Sequence, residues 1–115
     1  MTKKFQVIVP PSVKKDLRDI VEYYYEVNKS YSQKLFNSLV ERISELEAFP
    51  EKGRVVPELR DHNIETYKEL IEDPYRIIYR IMKEEVLLVS VIDGRRNVEE
   101  ILNKKLQRNY NTANI

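Results

Sequence analysis

The spacing of hydrophobic positions changes twice along this chain. Phe5 to Val9 (FQVIV) is a short apolar run stopped by Pro10-Pro11, which predicts a first strand. Val13, Leu17, Ile20, Val21 and Tyr24 then recur at spacings of three and four, the stripe of an amphipathic helix from a Ser12 N-cap to about Val27. Its outer face is charged: Lys14, Lys15, Asp16, Arg18, Asp19, Glu22 and Glu26. After Asn28-Lys29, Ser30 or Ser32 is the expected cap of a second helix with the stripe Leu35, Phe36, Leu39, Val40, Ile43, Leu46 and Phe49, and Pro50 stops it. Two such helices on a short connection form an antiparallel hairpin, and both stripes need a shared apolar surface.

From Tyr67 the period falls to two. Tyr67 to Ile71 (YKELI) reads as a strand leading through Glu72, Asp73 and Pro74 into Tyr75 to Ile81, where Tyr75, Ile77, Tyr79 and Ile81 share one face and Arg76, Ile78 and Arg80 the other. Lys83, Glu84 and Glu85 make the reversal. Val86 to Ile92 (VLLVSVI) is apolar on both faces and β-branched, the signature of a central strand covered on both sides. It ends at Asp93-Gly94, followed by Arg95 and Arg96. Asn97 caps a short helix carrying Val98, Ile101, Leu102 and Leu106, and the polar stretch 107–115 is expected to be a mobile tail. Glu51 to Thr66 lacks periodicity and reads as an extended loop with short ordered pieces, long enough in so small a domain to suggest a role. The order is β-α-α-β-β-β-α. It predicts one α+β domain over 1–115, an antiparallel sheet with an N-terminal helical hairpin on one face.

Composition narrows the chemistry. The 115 residues suffice for one modest core, and 20 basic against 19 acidic residues give a net charge of +1, with no global signature of nucleic-acid binding. An anion site must come from local clustering. The absence of cysteine excludes a disulfide framework and a thiol nucleophile, and with His62 the only histidine no metal site is expected. No segment resembles a signal peptide or approaches the roughly 18 apolar residues of a membrane span. A cytoplasmic protein with no membrane contact is expected.

Within that order, PPSVKKDLRDIVEYYYE, LEAFPEKGRVVPEL, YKELIEDPYRIIYRI and VLLVSVIDGRR together resemble the RelE/ParE superfamily of type II toxin-antitoxin toxins, over about Phe5 to Arg96. Gly53-Arg54, Val56-Pro57-Glu58-Leu59 and Tyr75-Arg76 place the resemblance in the ParE-like, plasmid-stabilisation branch. The resemblance implies a toxin that arrests growth, needs no cofactor, and is neutralised by a cognate antitoxin in a hetero-oligomer. It also implies one of two targets. RelE-like members cut mRNA on the ribosome; ParE-like members poison DNA gyrase and are not known to use a chemical active site.

A ribonuclease of this kind needs cations at the scissile phosphate and a group that handles the 2′-hydroxyl proton. Arg76, and Arg96 or else Arg95, match the two arginines that the resemblance implies for catalysis, and guanidinium suits the task because its fork pairs with phosphate. The ordinary alternative pairs Arg76 with Glu69 or Glu72, and Arg96 with Asp93 or Glu99. Arg54, Arg60, Lys68 and Arg95 are the candidates for target or phosphate binding. Two departures favour a protein target over RNA cleavage: Lys68 stands among Glu69, Glu72 and Asp73, and 97–106 supplies Glu99 and Glu100 but no tyrosine or histidine. His62, near neutrality in its unperturbed pKa, is a candidate base or simply a solvated loop residue. Tyr23, Tyr24, Tyr25, Tyr31, Tyr67, Tyr75 and Tyr79 are read as packing residues with wet hydroxyls rather than base-stacking platforms. A non-toxic, partner-binding member of the fold is the third reading.

Overall fold

A computed structural model describes the backbone of residues 4–113 and the side chains of residues 4–107. The elements are β1 (Gln6–Ile8), α1 (Pro11–Tyr25), α2 (Lys29–Glu45), a 3-10 turn (Pro50–Lys52), β2 (Arg54–Val55), α3 (Pro57–Arg60), β3 (Tyr67–Glu72), β4 (Tyr75–Met82), β5 (Glu85–Asp93) and α4 (Val98–Ala113). The stretch 107–115, expected to be a tail beyond a short helix, instead continues α4 as far as Ala113, and positions 114 and 115 lie outside the described residues.

The strands form one five-stranded sheet in the order β1-β5-β4-β3-β2. Its β3 to β5 part is antiparallel as expected; β2, a strand not expected within the long loop, adds antiparallel to β3, while β1 joins parallel to β5, with Val7 opposite Val86. The helical hairpin carries the chain across the sheet before β2 begins, so the first strand returns beside the last in the same direction. β5 is thereby an interior strand, flanked by β1 and β4. Between Ile78/Ser90 and Tyr79/Leu88 the β4–β5 register shifts, leaving Val89 as an extra, bulged residue on β5.

Two cores flank the sheet. Val13 and Leu17 of α1 and Leu35, Leu39 and Ile43 of α2 pack, with Leu46, on Leu70, Tyr75, Ile77, Tyr79, Val86, Leu88 and Val91. On the other face Val56, Leu59, Val98 and Leu102 pack on Ile78 and Ile92. The α2 stripe is narrower than its sequence suggests: Phe36, Val40 and Phe49 are exposed. Hydrophobic periodicity marks a stripe, but only the width of the facing surface decides how much of it is covered.

The helix starts differ from expectation in two places. α1 begins at Pro11 with Pro10 as an N-cap that supplies no side-chain bond, and Ser12 lies inside the helix; proline fits the first helical position because its missing N–H would have no partner there. Asn28, not Ser30 or Ser32, caps α2 by accepting from the Tyr31 N–H at 3.0 Å. Ser32 instead donates to the Val21 carbonyl at 2.8 Å and ties α2 to α1. Asn97 caps α4 as expected, accepting from the Glu100 N–H at 3.1 Å.

The long loop holds three short ordered pieces, including β2, which covers only Lys68 and Glu69 of β3. Gly53 is required there by close approach. A Cβ would stand 2.5 Å from the Tyr79 hydroxyl and 2.6 Å from the Glu69 carbonyl. The Tyr79 ring is fully buried, and its hydroxyl donates to Pro50 O at 2.7 Å and accepts from Gly53 N at 2.9 Å. This phenol therefore pins the loop to the sheet. Among the described residues no helix is long and apolar enough to cross a membrane.

Candidate functional site

Arg76 lies on the second face of β4, and the strand alternation that puts Tyr75 and Ile77 under the hairpin points it the other way. Glu69 of β3 and Glu58 of α3 close on it. Arg76 Nε donates to Glu69 Oε1 at 2.7 Å, while Nη1 and Nη2 hold Glu58 Oε2 and Oε1 at 2.7 and 2.6 Å, a bidentate fork. Glu69 has no solvent exposure and takes a second cation, Arg54, at 2.7 Å on its other oxygen. Two guanidiniums and two carboxylates thus satisfy one another, and the Arg76 side chain keeps 11% exposure. The hydrogen bond from Arg76 holds the Glu58 carboxyl below its ordinary range against the opposing effect of burial.

Arg95 and Arg96 lie elsewhere. They line a cleft of about 310 Å³ with Asp16, Asp19, Ile20, Tyr23 and Tyr24 of α1, and Tyr75, Val91 and Asp93 of the sheet. Tyr75 and Val91 belong to the hairpin-facing core, so this cleft opens on the side of the sheet that Arg76 does not face. Asp93 takes the Arg95 fork, Nε at 3.0 Å and Nη2 at 2.7 Å, and that hydrogen bond lowers the Asp93 pKa. Arg96 donates its backbone N–H to Asp93 O at 3.0 Å. Burial, with a hydrogen bond to Tyr24, pushes the Tyr75 phenol up.

The remaining candidates scatter. Lys68, on the hairpin-facing side of β3 opposite Tyr79, lies 3.5 Å from Glu51. Arg60 is exposed at the end of α3. His62 bonds Glu99 at 2.7 Å through Nε2, joining the loop to α4 at the surface. The six arginine and lysine candidates therefore occupy both faces and two rims of the sheet, and do not converge on one phosphate-sized point. Among the described residues no group of three or more histidine, cysteine or acidic side chains is placed to hold a metal.

Two polar features have no counterpart in the sequence reading. Glu58 as the bidentate partner of Arg76 is one; only its position in the first turn of α3 distinguishes it. The other is a bolt at the β5 bulge. Lys105 of α4 reaches Asp16 of α1 at 3.1 Å, Ser90 Oγ at 2.8 Å and Val89 O at 3.3 Å, while Asp16 also accepts from Val91 N at 3.1 Å. β1 pairs with Glu85 to Leu87, so these side chains satisfy backbone groups of β5 beyond the reach of β1.

Comparison with known proteins follows the same architecture. The sequence model of the ParE toxin of type II toxin-antitoxin system, parDE, matches residues 7–98. Toxin ParE3 of Caulobacter vibrioides is 29% identical over 91 residues, covering 76% of this chain and 87% of that protein. A solved chain described as the chromosomal ParDE TA system from P. aeruginosa superposes with a TM-score of 0.64 at 16% identity, covering 78% of this chain and 96% of its own, a likeness of fold. With the family match spanning both the helical hairpin and the sheet, the chain belongs to the ParE toxins of type II toxin-antitoxin systems.

Proposed function

We propose that this toxin acts by binding a protein target, with DNA gyrase the expected one, and that it is neutralised in the cytoplasm by a cognate antitoxin in a hetero-oligomer. One observation carries the choice over ribosome-dependent mRNA cleavage. Arg76 is committed to Glu58 and Glu69 on one face of the sheet, while Arg96 stands in a cleft on the other side. Stabilising a phosphoryl transition state needs donors preorganised around one point, and a guanidinium held by two carboxylates has no free edge to offer. The P. aeruginosa neighbour is described as part of a ParDE system, and carried to this chain that description supports the antitoxin.

The test is to induce the chain without its antitoxin, follow growth, map new RNA 5′ ends and assay purified gyrase. Growth arrest with inhibited supercoiling and no new codon-phased ends is the expected result. Cuts at a fixed position within translated codons, lost in Arg96→Ala, would overturn it. Absence of arrest would leave the non-toxic, partner-binding reading.

A further inference from the structure

The second face of the sheet is covered unevenly. α3 and the first turns of α4 close it over Ile78 and Ile92. Toward the β4–β5 turn, Tyr67, Leu87, Val89 and Leu106 are only half-buried and Met82 is exposed. Arg80 stands among them, opposite Tyr67 on β3 and Leu87 on β5 in the strand register. Its guanidinium carbon lies 5.6 Å from the centroid of the Tyr67 ring.

Arg80 differs from the ion-paired arginines. Its Nε is buried and has no hydrogen-bond partner, whereas Arg54, Arg76 and Arg95 each bond a carboxylate through theirs. The terminal nitrogens are neither buried nor bonded among the described residues. A donor stripped of water without an acceptor is a cost, and a cation held among apolar groups forms unusually strong charge-assisted bonds when an anion arrives. The Tyr67 ring lies within cation–π reach of the fork and favours its position over the sheet before an anion arrives.

We infer that Arg80 on its Tyr67 platform is the anchor for a carboxylate of the antitoxin, borne on a segment whose flanking residues are apolar. This rests on the toxin-antitoxin reading above and names the chemistry of that contact. The rim decides the ligand class: Tyr67, Leu87, Val89 and Leu106 offer apolar surface, and the neighbouring cation Lys105 is already held by Asp16, Ser90 Oγ and Val89 O. A nucleic-acid backbone is tracked by several cations in series, whereas an acidic residue among apolar ones is met by this arrangement.

The experiment measures binding of a cognate antitoxin to wild type, Arg80→Met, Arg80→Lys and Tyr67→Leu, at two salt concentrations, with thermal unfolding of each free chain. Arg80→Met should weaken the complex about tenfold or more and flatten its salt dependence. Its free chain should be no less stable than wild type, because the substitution removes an unbonded donor. Arg80→Lys should recover only part of the affinity, since ammonium lacks the planar fork. Unchanged affinity in Arg80→Met, beside a normal wild-type complex, would overturn the anchor and leave the antitoxin reading intact. Failure of wild type to bind would overturn both. Parallel losses of stability and affinity would assign Arg80 a structural role instead. Oligonucleotide binding lost in Arg80→Met, with antitoxin affinity unchanged, would replace the carboxylate by a phosphate and overturn the proposal.

Discussion

Glu69 is the residue on which the ionic network turns, a carboxylate with no solvent exposure holding Arg76 on one oxygen and Arg54 on the other. Breaking such a group is costly because the charge left behind stays buried. Arg76→Met strands Glu69 with a mostly exposed Arg54, and an equilibrium stability loss of about 3 kcal/mol is expected by urea titration. Loss of toxicity in an Arg76 variant would therefore report folding before it reported chemistry, and Arg96 is the cleaner probe of catalysis. The pH dependence has a definite sign. Glu58 is depressed in the folded chain, so its contribution is complete above the ordinary carboxyl value of 4.5 and is lost as the pH falls through the depressed one. Glu58→Gln should accordingly flatten the acid limb of the stability profile while lowering the plateau at neutral pH. Part of this was legible in the residues. Arg76 and Glu69 lie on adjacent strands, where alternation fixes the shared face, so the pair was an open alternative from the sequence. Glu58 was not readable, because a four-residue helix in an aperiodic loop leaves no period to place it. Arg95, not Arg96, takes the Asp93 carboxylate with its side chain, and all three residues line the cleft.

Among the elements, α4 is held by unlike means in its first turns and at its middle. Its first turns are apolar and buried, with Val98 and Leu102 in the second core, whereas Lys105 bolts the middle to α1 and β5. Leu102→Ala should cost about 3 kcal/mol through the lost methylenes and the cavity they leave, measured by chemical denaturation. The strands and helices themselves were legible because each carries a clean period; β5 in particular reads as doubly covered from VLLVSVI alone. The parallel docking of β1 was not, since a three-residue strand has no pattern that names its neighbour or its direction. Nor was the bolt, whose members Asp16 and Lys105 are separated by 89 positions.

At the scale of the molecule the two cores share one sheet, and adjacent residues serve different cores: Ile77 faces the hairpin and Ile78 faces α4. Neither core can lose its sheet without exposing the other. Tyrosine near-ultraviolet signal, which reports the hairpin side through Tyr24, Tyr75 and Tyr79, and far-ultraviolet signal should therefore melt with one midpoint. Separated transitions would show that α3 and α4 leave first. The balanced charge has its counterpart in space: the cations expected to gather at a site are distributed and largely paired, which suits a surface that meets a folded partner better than one that follows a phosphate chain.

The brevity of β2 has a practical bearing on handling the free chain. Beyond Glu69, the stretch Leu70 to Glu72 carries no neighbouring strand on that side among the described residues, and Ile71 there is 47% exposed. An unclaimed strand margin with an apolar tip is a template for pairing between copies, so the isolated toxin should lose solubility as concentration rises. A gatekeeper charge, Ile71→Lys, should raise the concentration at which light scattering first increases without moving the melting point.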